Sequence, residues 1–412
     1  MENLTVEEIL KMTPNKIVQM VKSRASDQDF ADLRAQYDPL QHSVMDKGLR
    51  PDKLVKTDRG SKIVAVSRLP LPFQRIIVDR AAAFLIGEGI ELRADPQDDG
   101  QENMFRKVNS VWHDTKADYK TRQMARTWMS ETEVAEYWYF HKKNDDIKLR
   151  MQVWAHSMGD SLYPYFNEFG DMEMFGRGYK IGKTEYLELW TDKEQINFEK
   201  VSENWEETDR EPNLMGKIPI IYYQRERPEW ADVQSLIERF ETMISNFADT
   251  NDYFASPMVF AKGAIKGFAQ KGESGKMITG EENADVRYLT WDQAPAAIQL
   301  EKDTLQELIY SMTQTPDISF EKMKGLGNIT GVALRMMFLD AKLKALKHQE
   351  EFGEGIQRRL NLIKAGIAVI DPAMEAAKDM QITPEFVFYM PANDQELINM
   401  LTQATGNRAV MS

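Results

Sequence analysis

Residues 231–254, ADVQSLIERFETMISNFADTNDYF, carry apolar side chains at Val233, Leu236, Ile237, Phe240, Ile244 and Phe247. That three-to-four spacing marks an amphipathic helix, ~35 Å long at the α-helical rise. Pro257 ends it and opens an insert, in which strand patterns at Met258 to Ala261 and Val286 to Trp291 flank a polar, glycine-rich stretch from Lys262 to Asn283. A second helix is predicted from Pro295 to Met312, with Pro295 in its first turn and Ile298, Leu305, Leu308 and Ile309 apolar. The two helices are expected to pair antiparallel beneath the insert. Pro316, Gly325, Gly327 and Gly331 then interrupt any helix, so the span from Thr313 to Gly331 reads as a loop. A very long helical pattern follows from Val332 to Ile370, with a kink or break expected at Gly353 and Gly355. After Asp371-Pro372, one more helix and a short strand near Glu385 to Met390 are expected.

Upstream the pattern differs. The first fifty residues read as helical, with Thr13-Pro14-Asn15 breaking the run. A helix from Arg75 to Leu85 closes at Gly87 and Gly89, before a strand at Ile90 to Arg93; another helix is expected from Met104 to Met129. Between Glu133 and Tyr223 the period changes to two, and turn signals such as Lys143-Asn144-Asp145-Asp146 and Gly159-Asp160 separate the runs. This block is predicted to be a β meander, and the fold class is α+β.

Composition bounds the function. A chain of 412 residues, 42% hydrophobic and 28% charged, is long enough for roughly two to three folded domains. It has no cysteine, which excludes disulfides and thiolate metal sites and suits synthesis in a reducing cytoplasm. No apolar run approaches the ~18 residues of a membrane span, and the acidic amphipathic start lacks the features of a secretory signal, so an unexported chain without a membrane partner is expected. The net charge of −13 argues against a protein that grips nucleic acid through clustered Lys and Arg. It is compatible with one that surrounds moving DNA, because an acidic wall repels the phosphate backbone.

Enzymatic signatures are weak. Gly182-Lys183-Thr184 has the ending of a phosphate-binding loop, but Arg177 stands where the first glycine belongs and the following residues alternate like a strand, so a hairpin turn is the better reading. Gly325, Gly327 and Gly331 miss the dinucleotide-loop spacing by one residue. His42, His113, His141, His156 and His348 lack metal-ligand spacing. The acidic pairs Glu206-Glu207, Glu281-Glu282 and Glu350-Glu351 are read as solvated faces. The stripe Leu334, Met337, Phe338, Ala341 is either an internal core face or a partner-binding face, and in a ring both can hold. Neither an enzymatic activity nor a cofactor is expected.

Three segments resemble the portal proteins of tailed bacteriophages. The first runs from Lys62-Ile63-Val64 through Pro72-Phe73 to Ile76-Ile77-Val78-Asp79-Arg80 and Phe84-Leu85-Ile86-Gly87. The second comprises Ile218-Pro219-Ile220-Ile221-Tyr222, Asp232-Val233-Gln234-Ser235-Leu236-Ile237 and Asn251-Asp252-Tyr253-Phe254-Ala255, and the third Pro316-Asp317-Ile318 with Gly327-Asn328-Ile329-Thr330-Gly331-Val332-Ala333-Leu334-Arg335.

The resemblance implies a β-rich wing (1–230), a stem helix (231–256), a small α/β clip (257–294), a second stem helix and connection (295–319), a tunnel loop (320–331), a long spine helix (332–370) and a short crown region (371–412). The family crown is often larger, which implies a reduced crown here or a short product. The resemblance also implies a homo-oligomeric ring of twelve subunits at the capsid portal vertex of a virion, the channel for DNA packaging and ejection. Its implied partners are the terminase large subunit, neck or adaptor proteins, major capsid and scaffolding proteins, and the double-stranded DNA in transit. Phe320, Lys322, Lys324, Gly325, Gly327, Asn328, Thr330 and Gly331 are the implied channel residues, and Lys262, Lys266, Lys271 and Lys276 the implied clip docking residues. The rival readings are a metal-dependent DNA-processing enzyme and a monomeric interaction protein with a helical arm.

Overall fold

A computed structural model of the chain describes residues 5–57, 60–144, 146–254, 258–262, 265–266, 279–280, 285–289, 294–318, 336–388 and 402. In chain order the elements begin α1 (Val6–Leu10), α2 (Pro14–Lys22), α3 (Phe30–Tyr37), β1 (Lys53–Thr57), β2 (Gly60–Val64), α4 (Phe73–Ile86), β3 (Gly89–Ala94), α5 (Asp99–Asp114) and α6 (Ala117–Glu131). Strands follow: β4 (Glu133–Lys143), β5 (Asp146–Trp154), β6 (Ser161–Phe166), β7 (Met172–Ile181), β8 (Thr184–Trp190), β9 (Glu194–Val201), β10 (Asn204–Pro212) and β11 (Ile220–Gln224). The remainder holds α7 (Gln234–Phe254), β12 (Met258–Lys262), β13 (Ile265–Lys266), β14 (Thr279–Gly280), β15 (Asp285–Leu289), α8 (Ala294–Met312), α9 (Leu339–Ile370) and β16 (Ile382–Val387). These residues form two units, one within 1–37, 74–231 and 313–412, the other within 38–73 and 232–312.

In the first unit the predicted meander is two sheets: an antiparallel five-stranded sheet in the order β10-β9-β8-β7-β6, and a three-stranded one in the order β11-β4-β5. Trp154, Ala135 and Ile220 of the smaller sheet share a core with Leu162, Phe175 and Trp190 of the larger. Helix α2 covers the larger sheet with Ile17, Val18 and Val21, which meet Met174, Leu187, Leu189, Ile196 and Phe198. The close approach explains Gly176, where an added Cβ would stand 2.4 Å from a methyl of Val21.

Against the smaller sheet lie α6 and α9, with Trp128 beside Phe352 and Phe352 stacked on Tyr223. The helix expected from Met104 to Met129 is broken into α5 and α6. Thr115 donates its hydroxyl to the Val111 carbonyl, and Lys116 takes a left-handed φ of 56°, which ends one helix and starts the next at a new angle. The break expected at Gly353 and Gly355 is absent: α9 runs unbroken through both. A Cβ on Gly355 would fall 2.1 Å from the Tyr223 ring, so that glycine is a notch for an aromatic side chain and not a weak point. The strand expected at Glu385 to Met390 begins at Ile382 and pairs with β3, placing Phe386 opposite Ile90. The helix expected before it is only a 3-10 turn, Pro372–Ala377.

Arg359 on α9 and Glu136 on β4 have no exposed side-chain surface. The guanidinium donates to both carboxylate oxygens, with a closest approach of 2.6 Å, and to Thr121 Oγ1 at 2.7 Å. The Tyr223 hydroxyl donates to the same carboxylate at 3.2 Å.

In the second unit α7 and α8 lie against each other and are joined by the Arg239–Glu301 ion pair. Val233, Ile237, Phe240, Met243, Leu305 and Ile309 are buried. The extended segment before α4 is stitched along α7 by three hydrogen bonds. The backbone N–H groups of Leu71, Leu69 and Ser67 donate to Glu241, Ser245 and Asp249 at 2.7, 3.0 and 2.6 Å. Four helical residues advance ~6.0 Å and two extended residues ~6.2–6.6 Å, so the two series keep step. Pro70 and Pro72, which have no N–H, follow the donors Leu69 and Leu71. In the insert β12 pairs with β15 and β13 with β14.

Replacing Arg359 by Met leaves Glu136 as a lone buried charge and is expected to lower stability by about 3–5 kcal/mol, while adding Glu136→Leu recovers most of that loss. Urea unfolding followed by tryptophan fluorescence measures both, and equal loss in the single and double variants contradicts the pairing argument.

Candidate channel loop and its mount

The residues expected to line a channel, Phe320, Lys322, Lys324, Gly325, Gly327, Asn328, Thr330 and Gly331, all lie outside the described residues, as do Lys271 and Lys276. Lys262 is exposed at the end of β12, opposite Asp285 in the strand register, and Lys266 stands opposite Thr279. The structure describes the segments on either side of residues 319–335, namely 313–318 and 336–338, and both belong to the first unit.

The incoming foot is residues 313–318. Thr313 and Thr315 are buried and hydrogen-bonded to each other through their hydroxyls at 2.9 Å, while Gln314 between them takes a left-handed φ of 50°. Two carbonyls of this foot are held by cations: Thr313 O accepts from Lys344 Nζ on α9, and Pro316 O from Arg80 on α4, each at 2.6 Å. The outgoing foot is Phe338, buried with Ala341 and Ala345 against Phe84 of α4, the two rings 5.6 Å apart. The predicted stripe is therefore partly a core face, as Phe338 and Ala341 show. Met337, Leu339, Leu343 and Leu346 remain exposed, and Leu334 lies outside the described residues.

Lys344 also reaches Glu229 at 2.5 Å, and Glu229 is bound at its other oxygen by Arg225 at 2.6 Å and His348 at 3.2 Å. Burial alone would raise the Glu229 carboxyl, but the hydrogen bond to His348 and the charges of Lys344 and Arg225 outweigh it and hold the group well below the usual carboxylate range. Arg225 lies over the Trp128 ring at 4.7 Å. Neither Glu229 nor Lys344 stood out in the sequence, and Arg80 appeared there only within the first resembling segment. The available signal was a lysine and a histidine, Lys344 and His348, one turn apart on a helix otherwise predicted to be core.

The decoy motifs resolve simply. Gly182, with φ of 62°, sits in the two-residue turn between β7 and β8, whose ladder closes at Ile181 and Thr184. His42, His156 and His348 each face a carboxylate, Glu241, Glu133 and Glu229, with contacts of 2.6, 2.6 and 3.2 Å. Glu207 is bound by Arg210, and Glu206, Glu350 and Glu351 are exposed; Glu281-Glu282 lies outside the described residues. Among the described residues no group of three or more His, Asp or Glu could hold a metal ion, and no helix is long and apolar enough to cross a membrane.

The fold is mixed helix and sheet, built along the long helix α9. The family model for phage portal proteins of the SPP1 Gp6-like type matches residues 42–411, and the chain belongs to that family. Among solved structures, a chain from the neck of an empty GTA particle computed with C6 symmetry is similar over 97% of this chain and 96% of its own, at 12% identity and a TM-score of 0.50, a likeness of fold. Chains from the virion of a native gene transfer agent particle and from the neck of the native particle computed with C12 symmetry each align at 12% identity with a TM-score of 0.40. The first covers 96% of this chain and 95% of its own, the second 97% and 96%. No curated protein matches the sequence.

The depressed Glu229 carboxyl contributes stability that is present above its ordinary value of 4.5 and lost as pH falls below it. Glu229→Gln is expected to cost about 3–5 kcal/mol at neutral pH and to flatten the acid limb of a stability-against-pH curve. An unchanged acid limb in urea titrations of the variant would remove Glu229 from the mount.

Proposed function

We propose that this portal subunit assembles into a closed ring of twelve copies at a capsid vertex of a virion, through which double-stranded DNA is packaged and later ejected, and that it makes or breaks no bond itself. The observation that carries this reading is the mount of the loop: a segment of glycines and lysines held at both feet by buried contacts to α4 and α9. In the proposal residues 320–331 line the narrowest part of the channel. Gly325 and Gly327 let the backbone follow a passing duplex, and Lys322 and Lys324 touch phosphates within an otherwise acidic ring. Such contacts stay weak because the chain as a whole carries −13. The insert, with Lys262, Lys266, Lys271 and Lys276, is the proposed docking surface for the terminase large subunit and then for neck or adaptor proteins. The wing is the proposed contact for major capsid and scaffolding proteins.

Support for a ring also comes from apolar side chains that one copy leaves uncovered, among them Met336, Leu339 and Leu343 on the approach to and first turns of α9, and Leu300 and Met312 on α8. The rival reading as a metal-dependent nuclease has no described acidic cluster to support it.

Two experiments test the proposal. The purified chain is expected to form rings with a central hole in averaged electron micrographs, and a monomer at micromolar concentration at every salt tested overturns the assembly. Lys322→Glu with Lys324→Glu, or Gly325→Val with Gly327→Val, is expected to leave rings and their incorporation into procapsids intact while reducing the DNA packaged or retained. Normal DNA filling in both variants returns the loop to a plain connector.

A further inference from the structure

The β1–β2 hairpin in the second unit is firmly held at its base and uncovered along its length. At the base, Arg68 binds Asp52 at 2.8 Å and the Arg50 carbonyl at 2.6 Å, and Asp52 also accepts from the Val66 N–H. Arg50 reaches Asn246 and Asp249 of α7, each at 2.8 Å, and donates to the Ser67 carbonyl. The three-rung ladder from Ser67 to Leu71 continues this clamp along the helix. Beyond the clamp the five residues of β2 are all exposed. Leu54 and Ile63 face each other across the ladder and are 65% and 70% exposed; Val55 and Val64 are 43% and 40% exposed.

An isolated two-stranded ribbon is marginal in water, and cross-strand apolar pairs stabilise it only when something covers them. A clamped base under an uncovered ribbon is the arrangement expected of an arm whose covering surface lies on another molecule. Charge narrows the choice of that molecule. Residues 53–64 hold Lys53, Lys56, Arg59 and Lys62 against Asp58, a net +3, within a chain of net −13. A second copy of the chain therefore presents, on average, the opposite charge to the arm. Duplex DNA would also attract the lysines, but it offers no apolar surface to the opposed pair Leu54 and Ile63, whose burial supplies a larger driving force than exposed charge pairs.

We propose that the β1–β2 hairpin is an arm lent by each subunit to its neighbour, with the Leu54–Ile63 face buried against an apolar, acid-rimmed surface on a second copy of this chain. The inference rests on the ring proposed above and deepens it. An arm given on one side and received on the other is a head-to-tail contact, which forms a ring when the rotation between copies closes and, unlike a face that pairs with itself, does not stop at a dimer.

The test uses the full-length chain. Leu54→Glu with Ile63→Glu alters only exposed side chains, so the variant is expected to keep the wild-type far-ultraviolet circular dichroism while losing rings in micrographs and in native mass spectra. Because the chain has no cysteine, Ile63→Cys carries one site for a benzophenone maleimide, and irradiation of assembled rings is expected to give a ladder of covalent subunit multimers on a denaturing gel. Wild-type rings together with normal rings from the double Glu variant and no ladder overturn the arm and leave the portal reading standing. A benzophenone that captures added duplex DNA in place of protein also overturns it, in favour of a nucleic-acid contact. Absence of rings from the wild-type chain removes the portal assembly and the arm together.

Discussion

Between α9 and β4 a guanidinium and a carboxylate face each other with no exposed surface, and neither Arg359 nor Glu136 tolerates the loss of the other. The pair is specific in angle as well as distance. A shift of α9 by one residue would turn Arg359 by about 100° and leave two uncompensated charges in an apolar interior. Thr121 from α6 and Tyr223 from β11 fill the remaining hydrogen-bonding positions, so one interaction fixes the register of a helix against two strands and a second helix. The Gly355 notch one turn away, into which the Tyr223 ring packs, allows that approach. Burial also pushes the Tyr223 hydroxyl well above its ordinary value, reinforced by the Glu136 charge, so the phenol remains a donor.

About 22 Å along the same helix, at Lys344, a second charged station does different work. Glu229 is shared by Lys344, His348 and Arg225, and Lys344 extends to the carbonyl of Thr313. Displacement of residues 313–316 is therefore opposed by a buried salt bridge and by the length of α9. Arg80 divides that load by holding Pro316 on α4. Since α9 is locked to the sheet at Arg359, displacement of the loop base without distortion of the sheet is opposed by both stations.

The order of parts was legible in the sequence because amphipathic helices and alternating strands announce themselves by period: α4, α7, α8 and α9 lie close to where their apolar spacing put them, and so do the paired strands of the insert. The errors came from residues whose role is set by a distant neighbour. Gly353 and Gly355 read as breakers until the Tyr223 and Phe386 rings are seen against them. Lys116 carries no local sign of its left-handed turn, so α5 and α6 read as one helix. The split of the meander into two sheets depends on β11 returning to pair with β4, over eighty residues away, which no local pattern contains. The cluster around Thr313 was invisible for the same reason: Arg80, Glu229, Thr313 and Lys344 meet only after α4 and α9 have packed.

The stitched segment beside α7 has a mechanical consequence. Its donors occur at every second residue and its acceptors at every fourth, with prolines between the last donors. A slip by one residue would present Pro70 and Pro72 to Ser245 and Glu241 and silence two rungs at once, whereas a slip by two restores the match at the next rung. The segment is thus indexed like a rack with a single pitch of about 6 Å, with no resting position between teeth. Whatever the hairpin at its end touches is held to a discrete address along the helix.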